Sequence, residues 1–262
     1  MRLFFGLEVH APWPDQLPHG RLLAPEMRHI TLAFLGEIDE TSLLPHLNTV
    51  PNLPKKLGWS GHFTSVDFFP HRHPNVVAWC MEWRVEQKSL LDYQQQLSSY
   101  VKELGFTLKE GHSFKPHVTL CRSPFKENEW RQAFQPLPFY TGALHLYRSL
   151  GHSTYEPIWT RPVHPPFIEV EHTADIAFQI YGSNSEELFR NAQLALAFKA
   201  PSLLEEPDPP FPINTWESTI KGLNWQIGEL DQKEGTPFKA VSYHGNIETK
   251  DGLLTWEMIV DV

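Results

Sequence analysis

A chain of 262 residues allows one large domain or two small ones. Its 41% hydrophobic, 13% aromatic and 20% charged residues exclude a disordered protein and leave enough apolar surface for at least one core. No run approaches a membrane span, and Met1 to Val9 holds no signal-type apolar segment with a cleavage site, so a cytoplasmic protein with no membrane contact is expected. The net charge of −9 conceals an asymmetry. Residues 1–164 carry 16 Lys and Arg against 15 Asp and Glu, a balance of +1, together with 12 of the 14 His; residues 165–262 carry 6 against 16, a balance of −10. A polyanion such as RNA is expected at the first part and repelled by the second.

In chain order, Arg2–Val9 (RLFFGLEV) and His29–Gly36 (HITLAFLG) predict strands, as do Thr64–Phe69 and Val76–Trp83. Leu90, Tyr93, Leu97, Tyr100, Val101 and Leu104 recur at helical steps, with Gly105 as the stop. Strands return at His117–Cys121 and Ala143–Leu146. Cys80 and Cys121 lie in apolar strand-like runs, where a free thiol behaves as a small buried hydrophobe.

A Pro-rich junction, Arg161–Phe167 (RPVHPPF), coincides with the charge shift and divides the chain into domains 1–164 and 165–262. Beyond it, Ala177–Tyr181 predicts a strand and Ser185–Phe198 a helix capped by Ser183 or Ser185, with Glu186 and Glu187 in its first turn. Pro201–Pro212 predicts a long loop, and Lys239–Tyr243 and Leu254–Val260 two further strands. Both domains are expected to be α+β, the first with mainly antiparallel sheet.

The strongest chemical signal is a tetrapeptide that occurs twice, His29-Ile30-Thr31-Leu32 and His117-Val118-Thr119-Leu120, 88 residues apart. Residues two apart on a strand share a face, so each copy points an imidazole and a hydroxyl one way and its aliphatic residues the other. Two such strands side by side present a pair of imidazoles to one cleft. Imidazole, with an ordinary pKa of about 6.5, can take a proton from water or give one to a leaving oxygen. Thr31 and Thr119 can donate to phosphate oxygens, and Arg122 can supply the positive charge that a phosphoryl transition state requires. No metal or other cofactor is required for such chemistry. His71 and His73 lack the Cys or carboxylate partners of a metal site and fit a substrate loop or a solvated one.

With Arg2–Gly6, His29–Glu37, Phe68–Trp79 (FFPHRHPNVVAW), Phe114–Arg122 (FKPHVTLCR), Leu146–Ser149 and Tyr155, these motifs resemble the two-histidine phosphoesterases over residues 1–163. The branch they resemble comprises the RNA 2',3'-cyclic phosphodiesterases, also known as 2'-5' RNA ligases. The resemblance implies two similar lobes, each a small sheet with helices, facing a central cleft. It implies catalysis by His29 and His117, phosphate contacts by Thr31, Thr119 and Arg122, and RNA rather than DNA as substrate, opened to a 2'-phosphate. Between Val9 and His29 that family carries a full helix, whereas His10–Met27 is short and Pro-rich here.

Glu171–Ile176 (EHTADI), Tyr181-Gly182, Glu186–Ala192, Phe238–His244 and the final Asp261-Val262 resemble archease, a small protein that assists a GTP-dependent RNA ligase. That resemblance implies a divalent-metal site at Asp175 and Asp261 with Lys239 nearby, and a ligase partner. The stretch is shorter than an archease, and Asn214–Leu230 is expected to have lost much of a helix. Two alternatives stand beside an RNA-end phosphodiesterase: an adaptor that binds RNA ends without turnover and recruits a ligase, and a cyclic phosphodiesterase of small nucleotides.

Overall fold

The computed structural model describes residues 1–84, 87–108, 114–173 and 175–262. The chain divides into two compact units, Met1–His164 and Pro165–Val262. Among the described residues, no helix is long and apolar enough to cross a membrane.

Unit 1 contains β1 (Arg2–His10), β2 (Arg21–Leu22), β3 (His29–Glu37), α1 (Glu40–Leu43), β4 (Ser60–Phe69), β5 (Val76–Trp83), α2 (Gln87–Glu103), β6 (His117–Arg122), α3 (Glu127–Ala133), β7 (Pro138–Gly151) and β8 (Thr154–Arg161). The strands run β1-β3-β6-β5-β4-β7-β8, β2 adds to β6, and a β1–β7 pairing closes six of them into a ring. Every pairing between these strands is antiparallel. The two expected small sheets are thus one continuous sheet. They survive as its halves, β1, β3, β7, β8 and β2, β4, β5, β6, joined by narrow seams: β3 meets β6 at the single pair Ile30–Val118, and β4 meets β7 over Ser60–His62. Ring closure gives each of these six strands a partner on both sides, leaving β8 and the two-residue β2 as the strands with an open side.

One face of the ring is apolar. Phe5, Leu7, Ile30, Leu32, Trp79, Val118 and Leu120 are all buried there, against the Leu90, Tyr93, Leu97 and Val101 stripe of α2. The stripe ends at Gly105, whose φ of +87° is left-handed and available to glycine without a side-chain clash. Cys80 and Cys121 are both buried and unpaired.

Unit 2 holds β9 (Phe167–Val170), β10 (Ile176–Gly182), α4 (Ser185–Ala197), α5 (Trp216–Lys233), β11 (Ala240–Val241), β12 (Glu248–Lys250) and β13 (Leu253–Asp261). Its sheet runs β11-β13-β10-β9, with β12 also on β13. Two sequence expectations are corrected. The cap of α4 is Asn184, which accepts from Glu187 N at 2.9 Å, while Ser183 N donates to the Glu187 carboxylate at 2.8 Å. Asn214–Leu230 has lost no helix, since α5 fills it with 18 residues behind a Thr215/Ser218 capping box.

The inner face of α5 mixes Ile220, Leu223, Ile227 and Leu230 with Thr219, Gly222 and Gln226, which dilutes its apolar period. Gly222 is there because α4 and α5 come close: a Cβ would lie 2.8 Å from Ile213 Cδ1 and 3.0 Å from Phe189 Cε2. The Pro-rich loop is pinned as well, by Gln193 Nε2 donating to Leu203 O at 3.0 Å, Gln226 Nε2 to Pro207 O at 3.0 Å, and the Lys233–Glu206 pair. The strand expected at Lys239–Tyr243 shrinks to Ala240–Val241, and Asn224 of α5 binds both backbone groups of Val241, accepting from its N–H at 2.6 Å and donating to its carbonyl at 2.9 Å.

Candidate active site

The repeated motif meets at the narrower seam. Ile30 and Val118 face each other in register and are fully buried, so His29, Thr31, His117 and Thr119 stand on the opposite face of the sheet. That register sets His29 across from Thr119 and Thr31 across from His117, making the two histidines diagonal neighbours about 7 to 8 Å apart along the backbone.

Both rings are held in the same way. Nδ1 of His29 lies 2.8 Å from Met27 O, and Nδ1 of His117 lies 2.8 Å from Lys115 O. A carbonyl only accepts, so both Nδ1 atoms carry hydrogen and both Nε2 atoms are left for chemistry. In the first copy a 3-10 turn over Pro25–Met27 presents the carbonyl, and in the second the Lys115 side chain is tied to Asp67 at 2.7 Å.

The surroundings of the rings differ. His29 is 8% exposed, stacked on Phe4 at 4.7 Å and boxed by Tyr155 at 5.0 Å and Tyr147 at 5.2 Å. Gly6 makes room for it, since a Cβ there would lie 3.3 Å from His29 Cδ2 and 3.1 Å from Ile30 O. Burial pushes the His29 pKa down to about 4, against the opposing bond to Met27, with His117, Arg122 and His145 lowering it further. His117 beside Phe69 at 5.2 Å is also lowered by burial, but there the Asp67 carboxylate pulls the other way. The His29 shift couples to folding. Between pH 6.5 and about 4 the unfolded chain binds the proton that the folded site refuses, so stability is full above 6.5 and falls as pH drops through that window. The expected loss is about 3 kcal/mol, measurable by denaturant unfolding of the wild type at stepped pH, with His29→Phe flattening the profile.

Arg122 reaches the site through a bulge. Strict alternation from Thr119 would put Arg122 on the core face with Leu120. The β5–β6 register slips between Val77 and Ala78, so that Leu120 and Cys121 are both buried and Arg122 returns to the face of the histidines. Its Nη2 donates to Tyr155 OH at 3.4 Å, the phenol that packs edge-on against His29. Thr31 and Thr119 are half-buried on this face.

Several neighbours carried no sequence signal because their partners are remote in the chain. Asp67 pairs with Lys115, and Glu8 accepts from His145 Nε2 at 2.7 Å and from Ala143 N at 3.1 Å. His10 first, then His145 and the Ala143 N–H, hold the Glu8 carboxyl far below the usual range against the opposing effect of burial. His145 is itself 5% exposed and bonded to Thr160 Oγ1 at 2.9 Å, which settles it as part of the wall beside His29. His71 is exposed, 3.8 Å from Asp67.

In unit 2, Asp175 and Asp261 lie at the same end of β10 and β13, whose pairing runs to Ile176–Val260. Ala174, inside the archease-like run, lies outside the described residues. Asp175 faces His172 at 3.8 Å, and Asp261 accepts from Ser242 Oγ at 3.3 Å. Lys239 donates from its backbone to Asp261 O, and its side chain reaches Val262 O. Among the described residues no group of three or more His, Cys, Asp or Glu is gathered as a metal site, and the two aspartates could bring at most two carboxylates to a hard cation whose other positions water would fill.

Residues 11–79 match the LigT like phosphoesterase family. The chain is 26% identical over 141 residues to the RNA 2',3'-cyclic phosphodiesterase of Methanocaldococcus jannaschii, a match covering 49% of this chain and 75% of that one. It is 69% identical over 26 residues to the archease of Archaeoglobus fulgidus, covering 10% of this chain and only 19% of the archease. Among solved structures, E. coli LigT complexed with 3'-AMP is 20% identical, with a TM-score of 0.45 over 62% of this chain and 97% of that one.

Proposed function

We propose that unit 1 hydrolyses 2',3'-cyclic phosphates at RNA ends to 2'-phosphates. One observation carries the reading: two imidazoles on one sheet face, each with Nδ1 tied to a carbonyl and Nε2 free, with Arg122 on the same face. The archaeal relative named for this activity supports it.

The two environments divide the labour. His29, the more easily kept neutral, takes a proton from the attacking water through Nε2. His117, with Asp67 opposing its loss of charge, gives its Nε2 proton to the departing ribose 3' oxygen. Arg122 and the hydroxyls of Thr31 and Thr119 hold the non-bridging oxygens as charge builds on phosphorus. These groups supply acid, base and positive charge, so chelator-treated protein is expected to open a cyclic-phosphate oligonucleotide to a 2'-phosphate, scored by end-group analysis. Activity lost to chelator and regained only with a divalent metal would overturn the mechanism, and binding without turnover would favour an adaptor. For the free enzyme, kcat/KM should rise with pH through the His29 pKa of about 4 and fall again below 6.5 as His117 deprotonates. An alkaline limb above 7 would show that His117 is not held below its ordinary range in the working enzyme.

For unit 2, the likeness to archease supports service at RNA ends beside an RNA ligase, and its balance of −10 favours a protein over RNA as the surface it contacts.

A further inference from the structure

The short segment between β1 and β3 brings a second arginine to the site. β2 lies antiparallel to β6 with Arg21 opposite Arg122 and Leu22 opposite Cys121. Residues opposite each other in a ladder share a face, so Arg21 stands on the face that carries the histidines. β5 occupies the other edge of β6 at the same two residues, which places β2 on the edge that β3 uses at Val118. Along that edge the row is therefore Thr31, His29, Arg21. From Thr119, opposite His29, to Arg122 is three residues, at most about 10 Å of strand.

Like charges opposite each other in a ladder are destabilising, yet this pair is built in. Leu23 N donates to Leu120 O at 2.8 Å, and a Cβ on Gly20 would overlap Cys121 Sγ, so the chain is drawn tightly onto β6 just where Arg21 leaves it. Other cations of unit 1 are spent inside the fold: Arg2 on Glu37, Lys115 on Asp67, Arg131 on Glu127, Arg148 on Glu40 and Glu156. Arg28 lies over Trp13, and Arg161 binds the Val50 and Pro51 carbonyls. Among the described residues neither Arg21 nor Arg122 has a carboxylate partner. Arg21 is exposed and Arg122 bonds only the Tyr155 phenol.

We propose that Arg21 binds the phosphodiester that joins the cyclic-phosphate nucleotide to the rest of an RNA strand, with Arg122 left to the cyclic phosphate itself. The site then reads a strand end and not a lone nucleotide. This rests on the phosphodiesterase reading of unit 1 and adds to it a position that only a substrate with a second phosphate can fill.

The test uses the full chain, wild type against Arg21→Ala and Arg21→Lys. Turnover is compared on a 2',3'-cyclic mononucleotide and a dinucleotide ending in the same cyclic phosphate, and binding on the corresponding 3'-phosphates. Wild type should prefer the dinucleotide in both assays. Arg21→Ala should shrink that preference on the order of ten- to a hundredfold, the worth of one charge-assisted phosphate contact. Its salt dependence of dinucleotide binding should fall by about 0.7 in log–log slope, and Arg21→Lys should keep part of both. The mononucleotide serves as the folding control within each variant. An active wild type with no dinucleotide preference, or equal losses on both ligands in Arg21→Ala, would overturn the subsite and leave the enzyme reading standing. An inactive wild type whose binding preference still depends on Arg21 would sustain the subsite and sink the enzyme reading.

Discussion

His29→Ala and His117→Ala should each lower kcat on a cyclic-phosphate oligonucleotide by on the order of 10² to 10⁴ with little change in binding. The double variant should be little worse than the poorer single one, because proton removal and proton delivery serve the same transition state. The variants can be told apart by the leaving group. A cyclic phosphodiester whose departing oxygen is already acidic needs no proton from His117, so it should recover much of the rate in His117→Ala and none in His29→Ala. Recovery in His29→Ala instead would exchange the roles, and full activity in either variant on the ordinary substrate would end the paired assignment.

Arg122→Ala should cost on the order of 10² to 10³ in kcat/KM, as the loss of a charge aimed at oxygens that become more negative during reaction. Arg122→Lys should restore only part of this, since an ammonium is a point charge without the planar fork that spans two oxygens. Tyr155→Phe removes the phenol that receives Arg122 at 3.4 Å while keeping the ring against His29, so a few-fold change is expected. A circular dichroism spectrum unchanged in all three variants, with Arg122→Ala as active as wild type, would show that the bulge in β6 delivers its arginine to no purpose.

What could be read from the chain was local. The alternation in the two His-x-Thr-Leu copies gave their faces, and the 3.6-residue stripe gave α2, because each pattern reports one strand or helix meeting one core. Closure of the ring could not be read, since it depends on β1 pairing with β7, elements some 140 residues apart. Arg122 was chosen for its type and nearness to the motif, while the simple period of two would have buried it; only the slip against β5 turns it outward. Asp67 and Lys115 are 48 residues apart and Glu8 and His145 are 137 apart, so neither pair leaves a trace in spacing. In unit 2 the error at α5 came from the helix face itself, where Thr219, Gly222 and Gln226 are buried for close packing and hydrogen bonding instead of apolar area.

The two carbonyl ties at Nδ1 have a consequence for what happens between turnovers. After one hydrolysis by this route His29 holds the proton and His117 has lost one, so the enzyme that releases product is a protonic isomer of the enzyme that bound substrate. Neither ring can exchange through Nδ1, which is committed to Met27 O or Lys115 O. Resetting must use the Nε2 atoms, and those face the position that product phosphate still occupies. Product has to leave before the isomers interconvert, and under fast turnover that recovery becomes a step of its own, visible as product inhibition that is noncompetitive where simple competition for the site would otherwise be seen.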